Sequence, residues 1–432
     1  MPQSIFRSLR HRNYRLFFTG QGISLVGTWM QRLAVGWLVY RLTNSPLLLG
    51  IMEFSSQIPT FLLAPVAGVL ADRHNRHRIL VLTQVLAMVQ ALVLALLVLF
   101  DRVEIWHIIG LSVALGIIRA FEMPTRQSFL VEMVEDKNDL GNAIALNSTM
   151  VNGARMVGPS VAGILILAAG EGVCFLVNAV SFVAVILSLL LMRIEPRSVP
   201  PRRTRLWHEL KEGFGYAGGF APIRDVLLIF ALVNLVGMPY VVLMPVFAKD
   251  VLHGGPGLFG YLMGAVGLGA LGGAVYLASR RSVRGLVTRL PVAVTLFGSA
   301  LMVFALSRVA WLSLGVMLLV GVGQMVLMAG TNTLLQTMVD DDKRGRVMSF
   351  FTMASMGATP VGSLVAGSLA THVGAPWTLF SGGVFCIAGA AFFWLRLPAL
   401  KKLIRPIYVE KGIIPELAIG IQNATDLAMQ RR

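Results

Sequence analysis

Uninterrupted apolar stretches of about twenty residues recur along this 432-residue chain, and nothing else in the sequence restricts its fold as much. Each is long enough to cross a hydrocarbon core of about 30 Å at 1.5 Å per residue. They fall at residues 16–40, 47–71, 79–100, 105–127, 140–169, 172–192, 225–248, 258–279, 287–307, 310–332, 347–371 and 376–396. The expected fold is therefore all-α integral membrane, with twelve transmembrane helices. A membrane β-barrel is excluded, because its strands alternate polar and apolar residues instead of running apolar throughout. Hydrophobic residues make up 56% of the chain and charged ones 13%, a balance suited to lipid as solvent.

The formal net charge of +16 raises the question of nucleic acid, and the placement of the basic residues answers it. About thirty of the 37 Lys and Arg lie in the tails and the even-numbered connections, whereas Arg41, Arg102, Lys249 and Arg308 lie opposite. The positive-inside rule accounts for that asymmetry and puts both termini in the cytoplasm, as an even number of crossings requires. The expected location is the cell inner membrane, multi-pass, with the lipid bilayer as a partner and no nucleic acid. The N-terminus is a basic tail followed at once by a full-length span with no small-residue cleavage site, so insertion is expected to begin at the first helix. Cys174 and Cys386 sit in apolar runs and read as small buried hydrophobes.

Residues 193–224 form the one long polar break, rich in Arg and Pro, with a short surface helix expected around Trp207 to Tyr216. The chain thus divides into an N-terminal six-helix bundle at 1–192, a cytoplasmic central loop at 193–224, a C-terminal six-helix bundle at 225–396 and a cytoplasmic tail at 397–432. The segment from Ile404 onward is weakly amphipathic and is expected on the inner leaflet. A shift of roughly 205 residues brings the halves into partial register. Met133 to Asp136 then meets Met338 to Asp341, and Gly158 with Val161-Ala162-Gly163 meets Gly362 with Val365-Ala366-Gly367. Two pseudo-symmetric bundles with a site between them near the midplane describe a rocker-type transporter.

Ionisable side chains deep in a span cost several kcal/mol unless paired or hydrated. Five stand out: Arg32, Glu53, Arg119, Glu122 and Arg155. On helix 1, Gln21, Ser24, Thr28, Gln31 and Arg32 make a polar stripe, and on helix 5 Ser148, Asn152 and Arg155 recur at i, i+4 and i+7. Lipid does not tolerate such faces, so both are candidate cavity walls. Arg32 lies roughly 12 Å and Glu53 roughly 9 Å below the outer helix ends, similar enough in depth to pair. That pair serves either packing or a gating or proton-linked role. Arg119 and Glu122, three apart on helix 4, can pair locally. Glu122 and Glu53 are the in-span carboxylates able to carry a proton.

Gly68-Val-Leu-Ala-Asp72-Arg73-His-Asn-Arg76-His-Arg78 between helices 2 and 3 resembles the signature loop of the major facilitator superfamily, with Asn75 where Gly is usual. Asn tolerates left-handed backbone, so the turn can still form. The segments Gly27 to Trp37, Leu42 to Pro46 and Arg155-Met-Val-Gly-Pro159 resemble the branch of transmembrane secretion effector type, which contains the enterobactin exporter and drug effluxers. The resemblance implies a cytoplasmic gate at Gly68, Asp72, Arg73 and Arg76. It links Arg119-Ala-Phe-Glu122-Met to the helix 4 motif associated with proton coupling. Gly153, Gly158-Pro159 and Gly163 resemble the antiporter glycine–proline motif, implying a bend in helix 5.

The expected function is secondary active export of a small amphipathic, siderophore-like or drug-like compound. It runs by alternating access and proton antiport, in a monomer with no cofactor or metal beyond a proton gradient. Uptake symport or lysolipid flipping by the same fold stays open, as does a non-transporting scaffold or receptor. An enzyme is not expected: His107, His253 and His372 are scattered, and no nucleophile or phosphate-loop constellation appears.

Overall fold

The computed structural model describes residues 6–193, 219–280, 282–340, 343–411 and 413, and those residues are helical with short connections. The first helices are α1 (Arg12–Thr43), α2 (Pro46–Arg73), α3 (Arg76–Leu99) and α4 (Ile105–Leu130). The run Leu140–Leu190 holds two helices joined at Gly170, whose φ of 80° and ψ of 171° only glycine adopts readily. We number residues 140–169 α5 and residues 171–190 α6. The helices α7 (Ala221–Val251), α8 (Gly255–Ala278), α9 (Leu286–Leu306), α10 (Ala310–Met338), α11 (Arg344–Val373) and α12 (Ala375–Glu410) follow.

Among the described residues, nine helical segments are long and apolar enough to cross a membrane. The difference from the twelve runs read in the sequence has two sources. Leu140–Leu190 counts once although Gly170 breaks it. The helices α1 and α11, in which Gln, Ser, Thr and Arg interrupt the apolar residues, fall short of that composition.

Short local signals fix several boundaries. Ser45 accepts from the Leu48 N–H at 3.4 Å and Pro46 occupies the first turn of α2. Asn75 accepts from the Arg78 N–H at 3.1 Å and caps α3. Its φ of −65° is extended, so the left-handed turn expected there does not form. Asn takes the place of Gly by capping. Helix α7 contains two wide turns, closed by Met238 N–H to Val233 O and Leu252 N–H to Phe247 O, both at 2.9 Å. The first precedes Pro239, which has no N–H to continue the ordinary ladder. Helix α12 continues unbroken to Glu410, fourteen residues past the expected end at 396. The surface helix expected at Trp207 to Tyr216 and the segment beyond residue 413 lie outside the described residues.

Helix α1 packs along α5 and α6, α2 on α4, and α3 on α4 and α6. In the second half α8 packs on α10, α9 on α10 and α12, and α7 against α11 and α12. Two helix pairs make the most extensive contacts between the halves: α5 with α8, and α2 with α11. Both are glycine contacts at the end remote from the chain termini. A Cβ on Gly163 would lie 2.9 Å from the Pro256 carbonyl and 3.0 Å from Gly260 Cα. A Cβ on Gly367 would lie 2.6 Å from the Pro46 carbonyl and 3.1 Å from Gly50 Cα. Gly163 and Gly367 are partners in the 205-residue shift, so the repeat places equivalent glycines at the two joints. Small residues permit this approach, which dispersion alone rewards in lipid.

Candidate functional site

A cavity of about 320 Å³ opens inside the first half, lined by α1, α2, α3, α4, α5 and α6. From the second half only Met356 of α11 reaches it among the described residues. The site expected between the halves is therefore mostly enclosed by one of them. Its volume suits a drug-sized molecule.

The polar stripe of α1 provides one wall: Gln21, Ser24, Thr28, Gln31 and Arg32 all line the cavity. Gln31 is fixed on both sides, donating to Gln90 Oε1 at 3.0 Å and accepting from Asn178 Nδ2 at 2.6 Å. Arg32 donates to Glu53 across the α1–α2 gap, and Gln57 Nε2 donates to the same Glu53 oxygen at 2.5 Å. The depth argument thus identified a real pair.

The α4 wall departs from expectation. Glu122 lies 3.4 Å from Arg126, one turn along, and not beside Arg119. Arg119, Glu122 and Arg126 all line the cavity. Arg119 has no hydrogen bond or ion pair among the described residues. The charged groups within electrostatic reach of it are Arg32, Glu122, Glu53 and Arg126.

Helix α5 differs more. Ser148 and Asn152 do not line the cavity; Ser148 is exposed, and the Asn152 amide donates to the Ser148 carbonyl at 2.9 Å. They lie below the α5–α8 contact, which reaches Met156 opposite Gly267, where a Cβ would be 2.7 Å from Met156 Cα. Leu271 and Val275 on the facing length of α8 are exposed as well. Arg155 lies just outside the cavity, its guanidinium 5.6 Å from the centre of the Trp29 ring, while Arg32 stands 5.4 Å from the same ring. Trp29 itself lines the cavity. Such cation–π contacts contribute about 0.5–2 kcal/mol each.

The α5 backbone stays helical through Pro159, and its break comes at Gly170, not at the glycine–proline pair. Gly158 instead admits α1: a Cβ there would lie 2.6 Å from Trp29 Cβ and 2.9 Å from the Val26 carbonyl. Gly153 meets nothing within 4 Å.

Of the gate residues, Gly68 faces open space and Arg76 donates to Glu132 at 2.6 Å, joining α3 to the turn after α4. Asp72 and Arg73 are within α2, and their side chains lie outside what is described. At the opposite end the halves are latched by polar contacts. Tyr40 of α1 donates to Asp250 of α7, and Lys249 donates to Asn44 Oδ1 at 2.6 Å while standing 5.4 Å from the Tyr40 ring.

Several cavity residues escape a reading built on ionisable groups and on the polar stripes of α1 and α5. Thr83, Gln84 and Gln90 of α3, Ser112 of α4 and Asn178 of α6 all line it. A glutamine or asparagine inside an apolar run was the available signal. Tyr40 and Asp250, at span ends, gave none.

The model of the transmembrane secretion effector family matches residues 3–410. The chain is 26% identical over 390 residues to the staphyloferrin A transporter of Staphylococcus aureus, covering 90% of this chain and 97% of that one. It is 27% identical over 399 residues to the multidrug efflux pump Tap of Mycolicibacterium fortuitum, covering 90% and 95%. Among solved structures, an inward-facing bacterial homologue of the lysosomal transporter Spinster superposes with a TM-score of 0.70 at 15% identity, covering 91% of this chain and 98% of that one. A bacterial homologue of ferroportin in an inward-facing state gives 0.67 at 20%, covering 90% and 99%.

Proposed function

Because the chain belongs to the transmembrane secretion effector family of the major facilitator superfamily, we propose that it exports a small amphipathic compound from the cytoplasm by proton antiport. The observation that carries this reading is a cavity with in-span carboxylates, in a molecule whose halves are joined by glycine contacts at the end remote from its termini. With both termini cytoplasmic, as the basic connections favour, that arrangement is open to the cytoplasm and closed outside.

Twelve crossings in two six-helix bundles, split at the 193–224 loop, agree with the helix ranges and the paired glycines. The inner membrane of a bacterium is the fitting location, and a single chain is the proposed working unit. The relatives include a staphyloferrin A transporter and a multidrug efflux pump by name, and the second supports export of drug-like cargo.

The proton carrier in this reading is Glu122. Glu53 is held by both Arg32 and Gln57, whereas the one ion pair of Glu122 among the described residues is with Arg126, at 3.4 Å. Protonating Glu122 releases Arg126, a change of local charge that can bias the halves towards the other state. Proteoliposomes holding a pH-sensitive dye test this with Hoechst 33342 and 2,3-dihydroxybenzoate as cargo. Cargo movement with opposite proton flux, lost in Glu122→Gln while cargo binding persists, is the expected result. Cargo movement without proton flux refutes antiport.

A further inference from the structure

The charges in the cavity do not cancel. Each carboxylate has a guanidinium of its own, Glu53 with Arg32 and Glu122 with Arg126. Three arginines and two glutamates line the space, so Arg119 is the surplus cation, without a hydrogen bond or ion pair among the described residues. Arg155, which has no carboxylate partner among them either, adds positive charge behind Trp29. An unpaired guanidinium within a bilayer costs several kcal/mol, and it persists where something else supplies the counter-charge.

A second observation points the same way. The Ser24 hydroxyl and Gln84 Oε1 have no hydrogen-bond partner, and their residues are 1% and 4% exposed. Both line the cavity, from α1 and α3, while Arg119 comes from α4. Buried polar atoms of this kind are normally satisfied, so α1 and α3 each hold a polar atom without a mate in a residue that lines the cavity. The Trp29 ring adds an aromatic face to the same space.

Resting on the transporter reading above, we propose that the cargo is an organic anion, its carboxylate held by Arg119 and its hydroxyl groups by Ser24 and Gln84. A hydroxylated aromatic acid carries a group suited to each of them. Ser24 donates to an acceptor oxygen of the cargo, and Gln84 Oε1 accepts from a cargo hydroxyl. Arg119 gains the charge-assisted bond that no protein group gives it. A neutral molecule of the same shape leaves the guanidinium as it was.

Salicylate and salicylamide separate the cases, since they share shape and hydroxyl group and differ in charge at pH 7. Binding to the full chain in nanodiscs is read from tryptophan fluorescence and from the melting temperature. Salicylate is expected to bind at least tenfold more tightly than salicylamide. Arg119→Gln should abolish that preference and Arg119→Lys retain most of it. Arg119→Gln should also melt no lower than wild type, because it removes an uncompensated charge; a lower melting point would show Arg119 to be part of an ion pair and overturn the proposal. Equal binding of the two probes, or undiminished salicylate binding by Arg119→Gln, overturns it as well. Hoechst 33342 efflux measured in parallel keeps the two readings apart. Dye transport without salicylate preference sinks the anion site alone, whereas salicylate preference without transport of either compound supports the site and sinks the exporter.

Discussion

One methyl group added at Gly260 should push the closed end of the molecule open. In Gly260→Ala the new Cβ would lie 2.7 Å from the Pro159 carbonyl oxygen and 2.9 Å from Gly163 Cα. These are backbone atoms of α5, which cannot rotate aside. Ordinary contact begins at 3.4 Å, so α5 and α8 must separate by about 0.7 Å at this point. Overpacking of this kind costs about 1–3 kcal/mol. Alanine in a helix interior gains about 0.5–1 kcal/mol over glycine, but it does so in the closed and open states alike, so the gain cancels. The net effect is a shift of about 5- to 150-fold away from the closed outer end. Spin labels at Leu167→Cys and Tyr261→Cys, both exposed positions, report the α5–α8 separation by pulsed electron resonance. The native Cys174 and Cys386 are buried and stay unlabelled. The distance distribution should move to longer values in Gly260→Ala and stay unchanged in Gly272→Ala, where nothing lies within 4 Å. An unchanged distribution in Gly260→Ala refutes the claim that these glycines hold the halves together.

The polar latch makes a related prediction. Tyr40→Phe removes the donor to Asp250 and should increase outer-end opening, seen as faster alkylation of a cysteine placed at Val35→Cys in the cavity wall; an unchanged rate would mean that the glycine joints suffice. Gln31→Leu strips partners from Gln90 and Asn178 together, and should lower stability by about 1–3 kcal/mol for each group left unsatisfied, read as a lower melting temperature. Arg32→Gln should melt below the double variant Arg32→Gln/Glu53→Gln, because the single change leaves the carboxylate of Glu53, itself 7% exposed, without its cation. The opposite order would show that the pair contributes nothing.

Much of this architecture was legible because a bilayer allows few solutions. A run of apolar residues long enough to cross has to be a helix, and basic residues sort to one side. The polar stripe of α1 and the Arg32–Glu53 depth match could be read for the same reason: a polar group at membrane depth must face inward. Partner choice on α4 was not legible. Residues three and four apart are both neighbours on a helix, and only the direction of the Glu122 side chain selects Arg126 over Arg119. On α5, inward-facing covers both an enclosed cavity and the space below a helix contact, and Ser148 and Asn152 lie beside the latter. Asn75 shows a different limit. The residue was suited to the turn, but through its side-chain oxygen at a helix start and not through its backbone. The wide turns of α7 left no trace in hydropathy, because an extra residue in one turn changes register without changing composition.

A cavity enclosed almost entirely by one half separates two tasks that a symmetric site would mix. In the proposed reading recognition falls to α1 to α6 and leverage to α7 to α12, which touch the cavity through Met356 among the described residues. Changes of cargo range should then arise from substitutions before residue 190, while substitutions after residue 220 alter turnover and leave the preference intact. Grafting the first six helices onto a relative's last six would carry the donor's preference with them, provided the glycine joints at α2–α11 and α5–α8 are kept. Diversification in such a lineage needs new side chains on one bundle only, under a second bundle that can stay constant.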